Sequence, residues 1–313
     1  MTGPGHETRD ARRGDAPATR ICLAGEDLDW LGGRCVCTSI DLRTTVGSGP
    51  GAIPYTGIYL DAVWRRLTDR PGPAPLLHVA SEAPTGSGLS TSTSLVIALT
   101  RACLLELGLP AFGPDELIDF TYAIERDITR GGGMDHVAIV RGGTLYMDGR
   151  PEGPPAVLGQ VEWPPEWAIV LIDSMQRKDS RDHLLETRRR SQRREPRLAA
   201  YIHDATTAAD NVWNAVLSRD LAAACSAVNA AHEAMRDWQA MSTPGLERLR
   251  TAALDVGCPA VKLTGSGSGG CLFGVVASAR QEEVLADLSA RLGKLEPAPG
   301  VRTVRPVPIR CAA

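Results

Sequence analysis

Lysine is scarce in this 313-residue chain, where only Lys178, Lys262 and Lys294 are lysines among 34 basic residues. Excess charge of either sign is also missing. The formal net charge of -3 excludes a whole-chain electrostatic attraction to nucleic acid or to an anionic membrane. No apolar run approaches the roughly 18 residues that cross a bilayer, which excludes an integral membrane protein. Residues 1–20, MTGPGHETRDARRGDAPATR, lack the apolar core of a secretory signal peptide. Their glycine, proline and mixed charge predict a disordered tail over 1–19. The eight cysteines include no CxxC pair with nearby histidines, so zinc ligation is not expected. Reduced thiols buried as small hydrophobes in the cytoplasm are the expectation. No internal repeat is visible.

What is present is ordinary for a globular chain. Hydrophobic residues make up 43% and charged residues 23%, enough apolar material for a core without disulfides or metals. The length suggests about two domains. Arg20–Val46 reads as strand, polar turn around Glu26–Gly33, and second β stretch. GSGPGAIP (47–54) is a loop. Tyr59–Leu67 has helical spacing, and His78–Ser81 ends a strand. Thr93–Leu107 is apolar nearly all round, as in a buried helix. Pro114–Arg130 places Leu117, Phe120, Ile124 and Ile128 at core spacing. A glycine cluster, GGGMDH (131–136), leads into a strand-like stretch with GG at 142–143. Residues 151–167 are linker-like, placing a boundary between an N-terminal domain over 20–165 and a C-terminal one over 166–313. Beyond it come a buried strand (168–174), helices over 184–197, 199–218, 221–239 and 245–256, β-like sequence over 261–276, a helix over 281–292 and a closing strand over 302–308.

PTGSGLSTSTS (84–94) concentrates small residues and hydroxyls directly before the long apolar helix. Glycines let a backbone approach a ligand and turn N–H groups toward it, and a helix N-terminus adds partial positive charge. An anion, most naturally phosphate, is favoured there. Ser90, Thr91 and Ser92 could add hydrogen bonds, and one hydroxyl could ligate Mg²⁺. The lysine of the GxxxxGK[ST] P-loop is absent.

This loop resembles the nucleotide-binding motif of the GHMP kinases, approximately P-x3-G-L-S/G-S-S-A-S. RICLAGEDLDWLGG is similar to the galactokinase signature R-I-N-L-I-G-E-H-T-D-Y-N-G-G at Arg20, Ile21, Leu23, Gly25, Glu26, Asp29, Gly32 and Gly33. KLTGSGSGGC (262–271) resembles the C-terminal K-L/M-T-G-A-G-x-G-G-C motif. The three motifs stand in the family's order over residues 20–271.

The resemblance implies an α+β fold of two domains. The first would be like the second domain of ribosomal protein S5 and the second ferredoxin-like, with ATP in the cleft between them. It implies a kinase using ATP and Mg²⁺ on a sugar, most nearly a galactokinase-like enzyme acting at the anomeric hydroxyl. Asp135 falls on the aspartate that accepts the substrate proton, and Arg20 on the arginine beside it. Pro84, Gly86, Ser87, Gly88, Leu89, Ser90, Thr91, Ser92 and Thr93 would contact ATP, with Ser92 and Glu125 toward the metal. Glu26, Asp29, Gly32, Gly265, Ser266 and Gly267 would line the substrate site. Asp27 and Trp30 replace the signature's histidine and tyrosine. Other readings are a kinase of a phosphorylated heptose or octose, a mevalonate-type kinase and a non-catalytic sugar sensor. The basic run TRRRSQRREPR (187–197) is either a solvated helix face or a source of arginines for a phosphate already on the substrate.

Overall fold

The computed structural model describes residues 16–47, 53–68, 73–177, 181–295 and 297–310. Most of the tail expected over 1–19, most of the 47–54 loop, Lys178 and Cys311 lie outside them. Buried structure is already present before Arg20: Ala16 and Ala18 are buried, and β1 spans Thr19–Ala24. Its central residues alternate between two cores, as successive strand side chains must. Ile21 and Leu23 join one cluster with Val212 and Phe273, while Cys22 joins another with Ile97 and Val137. Burial on both faces is why TRICLA carries no polar alternation.

After the short helix α1 (Leu28–Leu31), β1 pairs antiparallel with β2 (Arg34–Ile40). The first sheet is completed by β6 (Thr144–Asp148) and β7 (Ala156–Val161), in the order β1-β2-β6-β7. A small sheet, β3-β5-β4 (Thr44–Val46, Leu77–Ser81, Ile53–Tyr55), lies beside α2 (Ile58–Leu67) and α3 (Thr91–Glu106). Helices α4 (Pro114–Thr129) and α5 (Met134–Arg141) close this half.

In the second half, β8 (Trp167–Asp173), β9 (Ala260–Leu263), β10 (Cys271–Ala277) and β11 (Gly300–Val304) form a sheet ordered β11-β8-β10-β9. Its helices are α6 (Arg181–Gln192), α7 (Pro196–Ser218), α8 (Leu221–Gln239), α9 (Pro244–Asp255) and α10 (Gln281–Leu292). Alanines line the facing surfaces of α7 and α8: Ala208, Ala209, Ala224, Ala227 and Ala231 share a core with Ile21, Ile169 and Phe273. Small side chains let this helix pair approach both sheets closely, so the halves share one continuous core.

Two expectations fail locally. The strand-like stretch after GGGMDH is helix α5, because Val137–Val140 are buried on every side, and a short apolar run has the same appearance in a strand or a buried helix. The linker-like 151–167 contains β7, whose partner β6 supplies its hydrogen bonds. The closing residues also cross back to the first sheet. The Asp41 N–H donates to the Arg305 carbonyl at 2.9 Å, and the Val307 N–H to that of Ser39 at 2.9 Å. The seven described cysteines are free and buried. Among the described residues no helix is long and apolar enough to cross a membrane.

Candidate active site

A cleft of about 990 Å³ runs between the glycine-rich segment before α3, the α1 turn and the N-terminus of α5. Two glycine loops, far apart in sequence, form one wall. A Cβ on Gly88, whose φ is +77°, would stand 2.2 Å from the Thr264 carbonyl oxygen. A Cβ on Gly265 would meet the Gly88 Cα at 2.7 Å. The Cys271 N–H donates to the Ser87 carbonyl at 2.8 Å. The 264–270 loop therefore braces the 84–90 loop backbone to backbone, a contact closed to any side chain.

Pro84, Gly86, Gly88, Ser90, Thr91, Ser92 and Thr93 line the cleft. Ser87 and Leu89 do not. The Ser87 hydroxyl donates to the Pro84 carbonyl at 2.5 Å, and Leu89 is sunk in the core, so these two hold the loop's shape. Ser90 has φ +60° and a buried hydroxyl without a partner among the described residues, next to the open end of α3. Tyr55, Tyr59, Val79, Leu95 and Ile128 add an apolar wall that no motif marked. Flat apolar surface beside a phosphate-binding loop suits a purine base.

At the floor, Arg20 donates from Nε to Asp135 Oδ1 at 2.7 Å, and its Nη2 lies 2.7 Å from the same oxygen. Its Nη1 donates to the Gly88 carbonyl at 2.9 Å. Burial works against the Arg20 charge, but Asp135 outweighs it and raises the pKa. The second Asp135 oxygen has no hydrogen-bond partner among the described residues, and the side chain is 23% exposed in the cleft. One arginine thus fixes both the carboxylate and the glycine loop.

Asp29 is buried beside them, with Oδ2 accepting the Met134 N–H at 3.0 Å at the first turn of α5. A Cβ on Gly132 would lie 1.9 Å from that oxygen, so glycine is what admits the carboxylate. Burial pushes the Asp29 carboxyl up to about 7; the Met134 N–H opposes the shift, and Asp135 and Asp27 add to it.

Glu125, ten residues before Asp135, accepts the Thr93 hydroxyl at 2.6 Å and lies 3.0 Å from His136 Nε2. Burial raises its pKa, yet His136, Ser92 and Thr93 together hold the carboxyl below its ordinary range. Glu125 and Ser92 are therefore neighbours on the cleft wall.

Of the expected substrate residues, Gly32 and Gly267 sit elsewhere, and Glu26 lines the cleft with its oxygens already engaged. Glu26 reaches the cleft wall, but its oxygens are engaged by Lys262 Nζ at 2.6 Å and the Gly265 N–H at 3.1 Å, which makes it scaffold. Gly32, at φ +83°, is exposed and caps α1, the left-handed conformation that ends a helix. Gly267 packs on the Met241 backbone, where a Cβ would meet its carbonyl oxygen at 2.2 Å. Gly265 and Ser266 do line the cleft. Sequence reasoning left Asp27, Trp30 and His183 without a role. Here His183 Nε2 lies 2.6 Å from Asp27 Oδ2, and Asp27 and Trp30 line the cleft. The departure of these two positions from the galactokinase signature was the available signal. For Lys262 it was the rarity of lysine.

The GHMP kinases N terminal domain matches residues 59–143, and GHMP kinases C terminal matches 214–294. A D-glycero-alpha-D-manno-heptose 7-phosphate kinase of Campylobacter jejuni is 24% identical over 234 residues, 70% of this chain. The match spans 66% of that relative's length. Lactococcus lactis galactokinase, solved with galactose, superposes with a TM-score of 0.76 at 17% identity, covering 95% of this chain and 94% of that one. A D-glycero-D-manno-heptose 1-phosphate kinase from Bacteriodes thetaiotaomicron gives 0.66 at 21% identity, with 94% and 95% covered. The fold, its two glycine loops and the family matches in both halves agree: this chain belongs to the GHMP kinases.

Proposed function

We propose that this protein is an ATP-dependent kinase that phosphorylates a sugar, with the anomeric hydroxyl as the favoured acceptor. The observation that carries the reading is the Arg20–Asp135 pair, which leaves one carboxylate oxygen in the cleft beside the glycine loop. A substrate hydroxyl donating to that oxygen is oriented for attack and gives up its proton there. Arg20 holds the base in place and adds a fixed positive charge near the transferred phosphoryl group. The backbone of 84–90 and the N-terminus of α3 cradle the ATP phosphates, and the Tyr55–Tyr59 wall takes the base.

The residues present fit a magnesium ion. Glu125 is held ionised beside Ser92, and among the described residues no group of three His, Cys, Asp or Glu side chains offers a fuller cage. Mg²⁺ needs few protein ligands when phosphates and water complete its shell. When bound, it supplies charge neutralisation to the phosphates. Glu125→Gln removes the anionic ligand, so the Mg²⁺ concentration for half-maximal rate is expected to rise several-fold. A superimposable magnesium titration would remove Glu125 from that role.

Asp29 supports the sugar reading, because a buried carboxylate accepts hydrogen bonds from neighbouring hydroxyls. Only its ionised form accepts fully, so kcat/KM for the sugar is expected to rise as pH passes about 7. The same shift acts on stability. Between about pH 4 and about pH 7 the native state keeps a proton that the unfolded chain has released, so this group's contribution falls as pH rises. In Asp29→Asn both dependences should flatten, read as kcat/KM profiles and as urea midpoints at about pH 5 and about pH 8. Unchanged profiles would exclude Asp29 as their source.

The heptose 7-phosphate kinase relative favours a phosphorylated heptose equally well as substrate class. Incubation with ATP and a panel of free sugars and sugar phosphates, followed as ADP release with the product position assigned by NMR, tests the kinase reading. Absence of ADP release across the panel would reject it.

A further inference from the structure

The basic run 187–197 does not act as one surface. Arg189 pairs with Glu186 at 3.5 Å, Arg190 with Glu195 at 2.9 Å, and Arg197 donates to the Asp237 carbonyl at 2.7 Å. Arg188 instead stacks on a cleft residue. Its guanidinium lies 4.5 Å over the Trp30 ring, and Trp30 lines the cleft. Its Nη2 donates to the carbonyl of Arg130, the left-handed residue that ends α4 just before the cleft-lining Gly131 and Gly132. Its Nε is buried and has no hydrogen-bond partner among the described residues.

Two more guanidiniums approach from α4. Arg126 sits 5.9 Å over the Tyr122 ring, and Arg130 stands four residues on, at the end of the same helix. No Asp or Glu among the described residues forms an ion pair with Arg126, Arg130 or Arg188. Burial, then Arg126, then Arg130 all lower the Arg188 pKa; Tyr122 and then Asp27 oppose them, and the Asp27 carboxylate is engaged by His183. Three like charges with no ion-paired acid among the described residues, one with a buried unsatisfied donor, cost stability unless an anion joins them.

The cluster also has a defined place relative to the chemistry. From Asp135 the contacts run through the Met134 N–H to Asp29, then to the next residue, Trp30, and to Arg188 stacked on it. A molecule with one hydroxyl at Asp135 and its ring against Asp29 would therefore present its far end to the arginines.

We propose that Arg126, Arg130 and Arg188 form an anion subsite at the substrate end of the cleft, and that the sugar phosphorylated here already carries a phosphate monoester remote from the acceptor hydroxyl. This rests on the kinase reading and narrows its substrate class. A dianionic phosphate suits the cluster, because planar guanidiniums bind its oxygens in pairs and three of them more than balance its charge.

The test compares kcat/KM within matched pairs: mannose against mannose 6-phosphate, and D-glycero-D-manno-heptose against its 7-phosphate, with ATP and ADP release as readout. The phosphorylated member is expected to lead by at least about tenfold, and Arg188→Gln to cut that ratio about tenfold. Arg126→Gln, at an exposed position that does not touch Trp30, should cut it as well and guards against a folding defect in R188Q. A ratio unchanged in both variants overturns the subsite. Turnover of free sugars alone overturns it while leaving the kinase reading intact. ADP release from no member of either pair overturns both.

Discussion

Asp135→Asn is expected to lower kcat by about 10²–10⁴-fold, the usual worth of a positioned proton acceptor. The amide keeps the shape of the carboxylate and still accepts the Arg20 N–H groups at Oδ1, but it cannot take a proton. In the proposed arrangement ATP lies against the 84–93 wall and not this oxygen, so its affinity, measured by calorimetry, should stay near normal. The exchange also strips Arg20, 4% exposed, of its carboxylate partner. Circular dichroism melting is therefore needed alongside the kinetics. A folded D135N protein that keeps most of its kcat would show that another group takes the proton.

The largest loss of stability is expected from Lys262→Met. Lys262 Nζ is fully buried and donates to Glu26 Oε2 at 2.6 Å, Leu263 O at 2.8 Å and Cys22 O at 3.1 Å. This one side chain ties β1 to β9 across the two halves. Its removal leaves the Glu26 carboxylate uncompensated in the interior, at a cost of about 3–5 kcal/mol. Urea unfolding would report this as a fall in midpoint. The double variant Glu26→Gln/Lys262→Met should recover much of the loss, because the stranded charge is then gone. If the single variant loses under about 1 kcal/mol, or the double loses as much as the single, the ion pair is not what holds this contact.

The helices of the second half were largely legible in the sequence. Residues 221–239 and 281–292 form helices with the bounds that periodicity predicts, because amphipathic spacing is a local signal. Helix α5 was not legible. Val137–Val140 has no polar face to show a period, and its buried surroundings come from α3, α4 and the first sheet. The strand β7 was hidden by the prolines that flank it and by its own Gly159, since what makes it a strand is the edge offered by β6.

The candidate site divides in the same way. Motifs pointed to Asp135, Arg20, the 84–93 loop and Glu125 because their chemistry depends on residue type and short spacing. They could not separate the residues that face the cleft from those that shape it. Ser87, Leu89, Gly32 and Gly267 belong to the same motifs as the lining residues, yet they serve the loop's shape, the core, a helix cap and a backbone contact, while Glu26 reaches the cleft wall with its oxygens held in a buried ion pair. The apolar wall around Tyr55 and Tyr59 and the Trp30–Arg188 stack carry no motif at all.

By itself the sequence determined the family resemblance, most helices of the second half and the residue types capable of phosphoryl transfer. Each of these is written in local pattern or in short, chemically constrained spacing. Only the tertiary structure decided that Arg20 clamps Asp135, that Gly88 and Gly265 close on each other, and that one arginine of the basic run stacks on the cleft-lining Trp30. Those contacts join residues 115, 177 and 158 positions apart along the chain, between Arg20 and Asp135, Gly88 and Gly265, and Trp30 and Arg188. Local propensity carries no information over such separations, and packing of the shared core determines which of these groups meet.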